Sequence, residues 1–397
     1  MNPTLTHEMS GVLTQAVRML RPLAGTERFD PAVPAAIVAS GLHRAPVPII
    51  AGGLGANLGQ SVELLSALSA VDGSCALGLA MHFHTLGAAV ESGNWPKALL
   101  SKLFREVVTA GALVNIVATE EMGGSPARGA LPEMTALRKG SVWVVNGVKH
   151  WATWLPALRY AVITVRFLDQ AWMQAAASNA EIPVGSLLLD LKSPGVERLP
   201  AFDALGMCAS ASGMLRLNDV MIPGEHLIIS HSSLEPAPRR ASAQAWFGLC
   251  VAAVYLGIGE GARHAVVDWA VARKPGNTAT AVADLPLIRV RMGRIDSELR
   301  TARILLTEIA RRWDQATALE RPEMLLNVAL AKFKATQAAA YATDEALRIA
   351  GGPGYLRGYL ERAFRDARAG LIHPPLEDIV MQDLALGLVA RARAGIE

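Results

Sequence analysis

Cysteine is scarce in this 397-residue chain: Cys75, Cys208 and Cys250 are far apart and odd in number. They fit neither a disulfide framework nor a zinc-ligand spacing, and they point to a reducing, cytoplasmic setting. Aromatic residues make up 5% of the chain and charged residues 18%, against 51% hydrophobic. The apolar mass is therefore mostly Ala, Val, Leu and Ile, enough to bury a large core, which excludes global disorder and favours helix. Neither sign of charge dominates: 38 Lys and Arg against 35 Asp and Glu leave +3. With no basic block, this argues against nucleic acid or an anionic membrane as partner. The first ten residues lack a basic leader followed by an apolar stretch, so no signal peptide is expected. No apolar run reaches the ~18 residues of a membrane span. The longest runs from Trp246 to Gly259, is stopped by Glu260, and reads as a buried core helix.

What is present falls into three zones. Residues 1–112 read as helices broken by Pro and Gly, with Val62, Leu65, Leu68 and Ser69 near one helical face of residues 61–70 and a second apolar helix over 75–90. Residues 113–225 change to short β-branched segments. Residues 141–145 read as a strand ended by an Asn146-Gly147 turn, and 160–167, 184–191 and 214–222 read as further strands. Residues 226–240 look like a linker opening the third zone, 226–397. Helical patterns there cover about 242–273, 284–316, 323–350 and 376–394, which suggests a bundle. The expected fold is mainly α with a central β domain: an N-terminal helical domain (1–112), a barrel-like middle domain (113–225) and a C-terminal four-helix bundle (226–397).

Three segments carry chemistry. Residues 118–125 (ATEEMGGS) place Thr119 and Ser125 beside glycines, where hydroxyls and backbone amides suit a planar acceptor-rich ligand or a phosphate. Residues 146–153 (NGVKHWAT) put Trp151 and Thr153 two apart, so an extended backbone gives an indole and a hydroxyl on one face. Residues 349–366 (IAGGPGYLRGYLERAFRD) break a helix at Gly351 and Gly352 and then repeat Arg362, Arg365 and Arg368 at helical spacing. An ordinary loop, a half-buried strand Trp and a solvated helix face account for each of these taken singly.

Taken together and in order, they resemble the acyl-CoA dehydrogenase superfamily over most of the chain. ATEEMGGS resembles its TEPxAGSD segment and NGVKHWAT its NGxKxWIT segment. Residues 205–223 are similar to its paired strands, 257–273 to a helix ending in a flavin-binding Arg, and 331–366 to AKxxAxxxA…GGxGY…ER…RDA. The resemblance implies an acyl-CoA dehydrogenase fold, FAD (with FMN possible) between the β domain and the bundle, and a homotetramer or homodimer. It also implies that Thr119, Ser125, Trp151 and Thr153 contact the cofactor. Arg273, Gly351 and Gly352 would reach the cofactor of a neighbouring subunit. Departures are Pro126 in place of an Asp, Lys274-Pro275-Gly276 after Arg273, and Arg348 in place of a Gln.

The family's catalytic Glu is missing. Counting on from Arg365-Asp366-Ala367, its position falls on Pro374, which cannot accept a proton, and residues 245–250 of the first bundle helix hold no carboxylate either. A shift of three residues would bring up Glu377; otherwise Glu377 and Asp378 are the acidic first turn of the last helix. The residue just before Pro374 is His373, and His82 follows a DGS helix start. These two resemble the histidines of dibenzothiophene-monooxygenase-type flavin enzymes, which take reduced flavin from a reductase and react it with O2. Histidine supplies neutral and cationic donors near pH 7 for handling a peroxide. The leading expectation is therefore a monooxygenase acting on a small organic substrate, with a flavin reductase as partner. An acyl-thioester dehydrogenase with Glu377 as base, partnered by an electron-transfer flavoprotein, and a non-catalytic flavin-binding relative stand beside it.

Overall fold

The computed structural model describes residues 5–121, 131–168, 184–231, 237–276 and 279–395. Five helices come first: α1 (His7–Leu20), α2 (Ala32–Ser40), α3 (Leu58–Ser69), α4 (Gly73–Ser92) and α5 (Lys97–Ala110). Eight strands follow: β1 (Val114–Val117), β2 (Thr135–Lys139), β3 (Val142–Ala152), β4 (Tyr160–Phe167), β5 (Val184–Asp190), β6 (Val196–Ala201), β7 (Gly213–Pro223) and β8 (Leu227–His231). The rest is helical: α6 (Ala237–Ala272), α7 (Pro286–Gln315), α8 (Leu325–Ala350), α9 (Tyr359–Ile372) and α10 (Glu377–Arg393). The protein is thus mostly helical around a central sheet domain.

Local chemistry sets these elements. Asn57 and Gln60 form a reciprocal capping box at the start of α3, with side-chain to backbone bonds of 2.8 and 3.1 Å. Asp72 caps α4 by accepting from the Cys75 amide at 2.8 Å, and it also holds the Gly25 amide at 3.0 Å. α4 has no polar face and is buried from Gly73 to Ala89, which an all-apolar helix requires. Its glycines are notches. A Cβ on Gly78 would lie 2.1 Å from the Trp154 indole of the β domain, and one on Gly87 would lie 2.3 Å from the Trp246 indole of α6. α4 therefore locks sheet and bundle together. α6 is the bundle's core helix: its stretch from Ala241 has the length and hydropathy of a membrane span, but 83% of that apolar window is buried in protein.

The sheet runs β6-β7-β3-β2-β4-β5-β8, with β1 parallel to β4. It departs from the sequence reading in two places. Asn146-Gly147 does not end a strand, because β3 continues to Ala152 with a register shift against β7 between Val145 and Gly147. The Asn146 side chain bonds both the Asp219 carboxylate (2.9 Å) and the Asp219 amide (2.8 Å), so the dipeptide serves a β-bulge rather than a hairpin. The segment read as a linker, 226–240, instead holds β8, paired with β5, and the first turn of α6.

Candidate functional site

The end of β3 is strained. Five described non-glycine residues have positive φ, and four of them sit together: Trp151 (59°), Trp154 (58°), Met207 (55°) and Ala211 (45°). The Trp154 amide donates to the Ser210 carbonyl at 2.8 Å, joining the two loops into one rim. Such backbone costs about 1–3 kcal/mol per residue and persists where function needs a side chain re-aimed. Here it breaks the alternation expected for Trp151 and Thr153, and the two do not share a strand face. Trp151 turns out to 52% exposure with its ring 4.4 Å from that of Phe202. Thr153 turns in, its hydroxyl 2.9 Å from Ser212 Oγ, which lies 3.0 Å from Ser210 Oγ. The exposed Trp151 indole offers a face on which a planar ring could stack, while the Thr153, Ser210 and Ser212 hydroxyls are bonded in a line on the inner side of the rim.

Thr119 adjoins this rim, its carbonyl accepting from the His150 amide at 2.8 Å. Ser125 lies outside the described residues. The next residue, Glu120, is one the sequence reading passed over. Its carboxylate is buried against Lys149 Nζ at 2.6 Å and accepts the Glu133 and Met134 amides at 2.5 and 3.0 Å. Lys149 also reaches the Ala118 carbonyl (3.3 Å) and Thr164 Oγ1 (3.0 Å). Burial pulls the ammonium of Lys149 below the usual lysine range, and the bond to Glu120 opposes that pull.

His373 caps the C-terminus of α9. Its Nδ1 lies 3.1 Å from the Tyr255 hydroxyl of α6. Lys332 of α8, itself buried, donates to the carbonyls of Gly370 (3.0 Å), His373 (2.5 Å) and Pro375 (3.2 Å). Burial pulls Lys332 down to about 8. Burial, and then the Lys332 charge, pull His373 down to about 4, so its imidazole is neutral at pH 7. Asp366, Gly370 and His373 are spaced four and three along α9, so they line one face. On that face Asp366 accepts the Met207 amide at 2.5 Å, and Gly370 meets the Tyr255 ring, which a Cβ would approach to 2.7 Å. The helix therefore joins the strained rim to His373 over two turns, roughly 10 Å. Glu377 is exposed at the first position of α10 and accepts from Gln337 Nε2 at 2.8 Å.

His82 does not match its expected role. It is buried, its Nδ1 accepts the Val114 amide at 3.1 Å, and its Nε2 lies 2.9 Å from the His43 carbonyl. Both ring nitrogens are thus spent on backbone, which ties α4 to β1 and to the turn before α3, and leaves nothing to offer a peroxide. Burial pulls the ring down to about 3. His84, two residues on, stands edge-on to Phe247 of α6 with ring centroids 5.5 Å apart. Arg273 follows α6 and is exposed, as are Gly351 and Gly352 at the end of α8, where an added Cβ would meet nothing within 4 Å. Arg348 is engaged with Asp344 (2.7 Å) and Glu345 (3.6 Å) on its own helix.

The chain is similar to known proteins in sequence and in fold. Residues 115–220 match the model for the acyl-CoA dehydrogenase middle domain, and residues 249–377 match that for the acyl-CoA dehydrogenase C-terminal domain. A putative acyl-CoA dehydrogenase, YdbM of Bacillus subtilis (strain 168), is 32% identical over 340 residues, covering 85% of this chain and 84% of its own. Among solved structures, KijD3 in complex with dTDP superposes with a TM-score of 0.83 at 22% identity, covering 97% of this chain and 98% of its own. TdsC of Paenibacillus sp. A11-2 with FMN and indole gives 0.83 at 17% identity, covering 96% of each. The chain belongs to the acyl-CoA dehydrogenase family.

Proposed function

We propose that this protein is a flavin-dependent monooxygenase of acyl-CoA dehydrogenase fold, using reduced flavin and O2 on a small organic substrate. Trp151 would stack on the flavin ring, the hydroxyl line from Thr153 and the Thr119 segment would hold its polar edge, and Ser125 would also contact the cofactor. Arg273, Gly351 and Gly352 would serve a neighbouring subunit's FAD or FMN in a homodimer or homotetramer. Bound flavin would supply the electrons, received from a reductase and passed to O2. The chain's own residues exclude water with an apolar bundle and offer a neutral imidazole N–H from His373 at the end of α9. His82 has no part in this assignment.

The observation that carries the reading is the pairing of a neutral His373 with the absence of a free carboxylate around it among the described residues. Asp366 is engaged at the Met207 amide, and Glu377 is exposed and bonded to Gln337. Removing a carbon-bound proton needs an available base near the ring. The similarity to YdbM favours a second reading, an acyl-thioester dehydrogenase with Glu377 relocated and an electron-transfer flavoprotein as acceptor. One experiment separates them. With a flavin reductase, FMN, NADH and indole as probe, the first reading expects label from 18O2 in the product. Bleaching of bound oxidised flavin by butyryl-CoA under argon, with no label incorporated, overturns it. A protein that takes up neither FMN nor FAD sinks both readings.

A further inference from the structure

Tyr255 is a core residue, yet its hydroxyl meets a polar partner, the His373 imidazole. Tyr255 is fully buried in the middle of α6, 118 positions away from His373 in sequence, and the chain brings the two side chains to 3.1 Å. Gly370 makes this possible. A side chain there would meet the Tyr255 ring, so only a glycine lets α9 lie against it. Lys332 then pins the backbone on both sides of His373 through the carbonyls of residues 370, 373 and 375. With the main chain fixed, the ring has one hydrogen bond to a described residue, at Nδ1.

A neutral imidazole carries one N–H and one lone pair, and a phenol carries one O–H. Two arrangements fit a 3.1 Å contact. Either the hydroxyl donates to Nδ1 and the proton resides on Nε2, or Nδ1–H donates to the hydroxyl oxygen and the phenolic proton must find another acceptor. Among the described residues Tyr255 has no other hydrogen-bond partner; the Asp366 carboxylate acts on it through its charge but is bonded to the Met207 amide and not to the phenol, so the second arrangement strands a buried O–H. Burial also keeps Tyr255 protonated and His373 unprotonated at neutral pH.

We infer that Tyr255 is a positioning residue: its hydroxyl donates to His373 Nδ1, fixes the Nε2–H tautomer, and leaves Nε2–H as the one proton His373 can present to a ligand. This rests on the proposed role of His373, which Tyr255 serves without touching the reacting atoms.

The test is Tyr255→Phe, which keeps the ring and removes the donor. In protein with 15N-labelled histidine, the nitrogen–proton correlation pattern reports the tautomer, and His373→Gln identifies the signal among nine histidines. The expected result is Nε2–H in the wild type and a shift toward Nδ1–H in Tyr255→Phe, with kcat lowered at least ~10-fold and KM unchanged. An unchanged tautomer in Tyr255→Phe overturns the inference, whatever the activity. If His373→Gln leaves turnover intact while Tyr255→Phe still shifts the tautomer, the role of His373 falls and the tautomer assignment stands.

Discussion

Met207 and Asp366 meet where sheet and bundle join: the Met207 amide donates to the Asp366 carboxylate at 2.5 Å across 159 residues of sequence. Met207 holds a left-handed backbone to do so, and the preceding glycine lets the α9 backbone come close, since a Cβ on Gly206 would lie 2.4 Å from the Arg365 carbonyl oxygen. This contact fixes where α9 ends relative to the strained rim.

That carboxyl sets a pH dependence. Burial raises Asp366 to about 6, above the ~3.9 of an unfolded chain. The folded state then binds more protons between those values, so this group's contribution to stability falls as pH rises from about 4 to 6 and is flat above. Asp366→Asn keeps an oxygen for the Met207 amide and removes the titration. Urea denaturation from pH 4 to 8 should show the variant gaining on the order of 2 kcal/mol relative to wild type as pH rises through that window.

His82 acts in the opposite direction. Its folded value of about 3 lies below that of the unfolded chain, so its contribution is present above pH ~6.5 and is lost as pH falls toward 3. His82→Ala leaves the Val114 amide and the His43 carbonyl unpartnered. Thermal unfolding at pH 7 should show a loss of about 3 kcal/mol. Part of the wild type's decline between pH 6.5 and 4 should disappear in the same variant.

Glu120 and Lys149 form a buried pair, and removing one partner strands the other. Glu120→Ala should cost about 3–5 kcal/mol in chemical denaturation. The double variant Glu120→Gln with Lys149→Met should recover a measurable part of it, because no unpaired charge remains buried.

Trp151 separates binding from folding. Its side chain is half exposed, so Trp151→Ala should change apoprotein stability by no more than about 0.5 kcal/mol. In fluorescence titrations with FMN and FAD the same variant should raise the dissociation constant about tenfold. Equal affinity for wild type and variant would remove Trp151 from the proposed flavin site.

The helical periods of residues 242–350, the β-branched run of 160–167 and the short apolar run of 184–191 are legible in the sequence, because each reflects burial over a characteristic length and spacing. The bulge at Asn146 is not, because its partner Asp219 is 73 residues away and Asn-Gly reads locally as a turn. The bonding of His82 is hidden for the same kind of reason: its partners are backbone atoms 32 and 39 positions off, which no motif records. Tyr255 left a faint signal, a lone hydroxyl-bearing ring inside the apolar run from Trp246 to Gly259. Glu120 and Lys149 lay inside the quoted motifs, but their charges were absorbed into the loop and strand readings.

α9 carries the Met207 contact on one turn and His373 two turns later, so the rim of the sheet and the imidazole share one rigid support. A substitution that loosens the Met207–Asp366 contact is therefore expected to alter the placement of His373 as well.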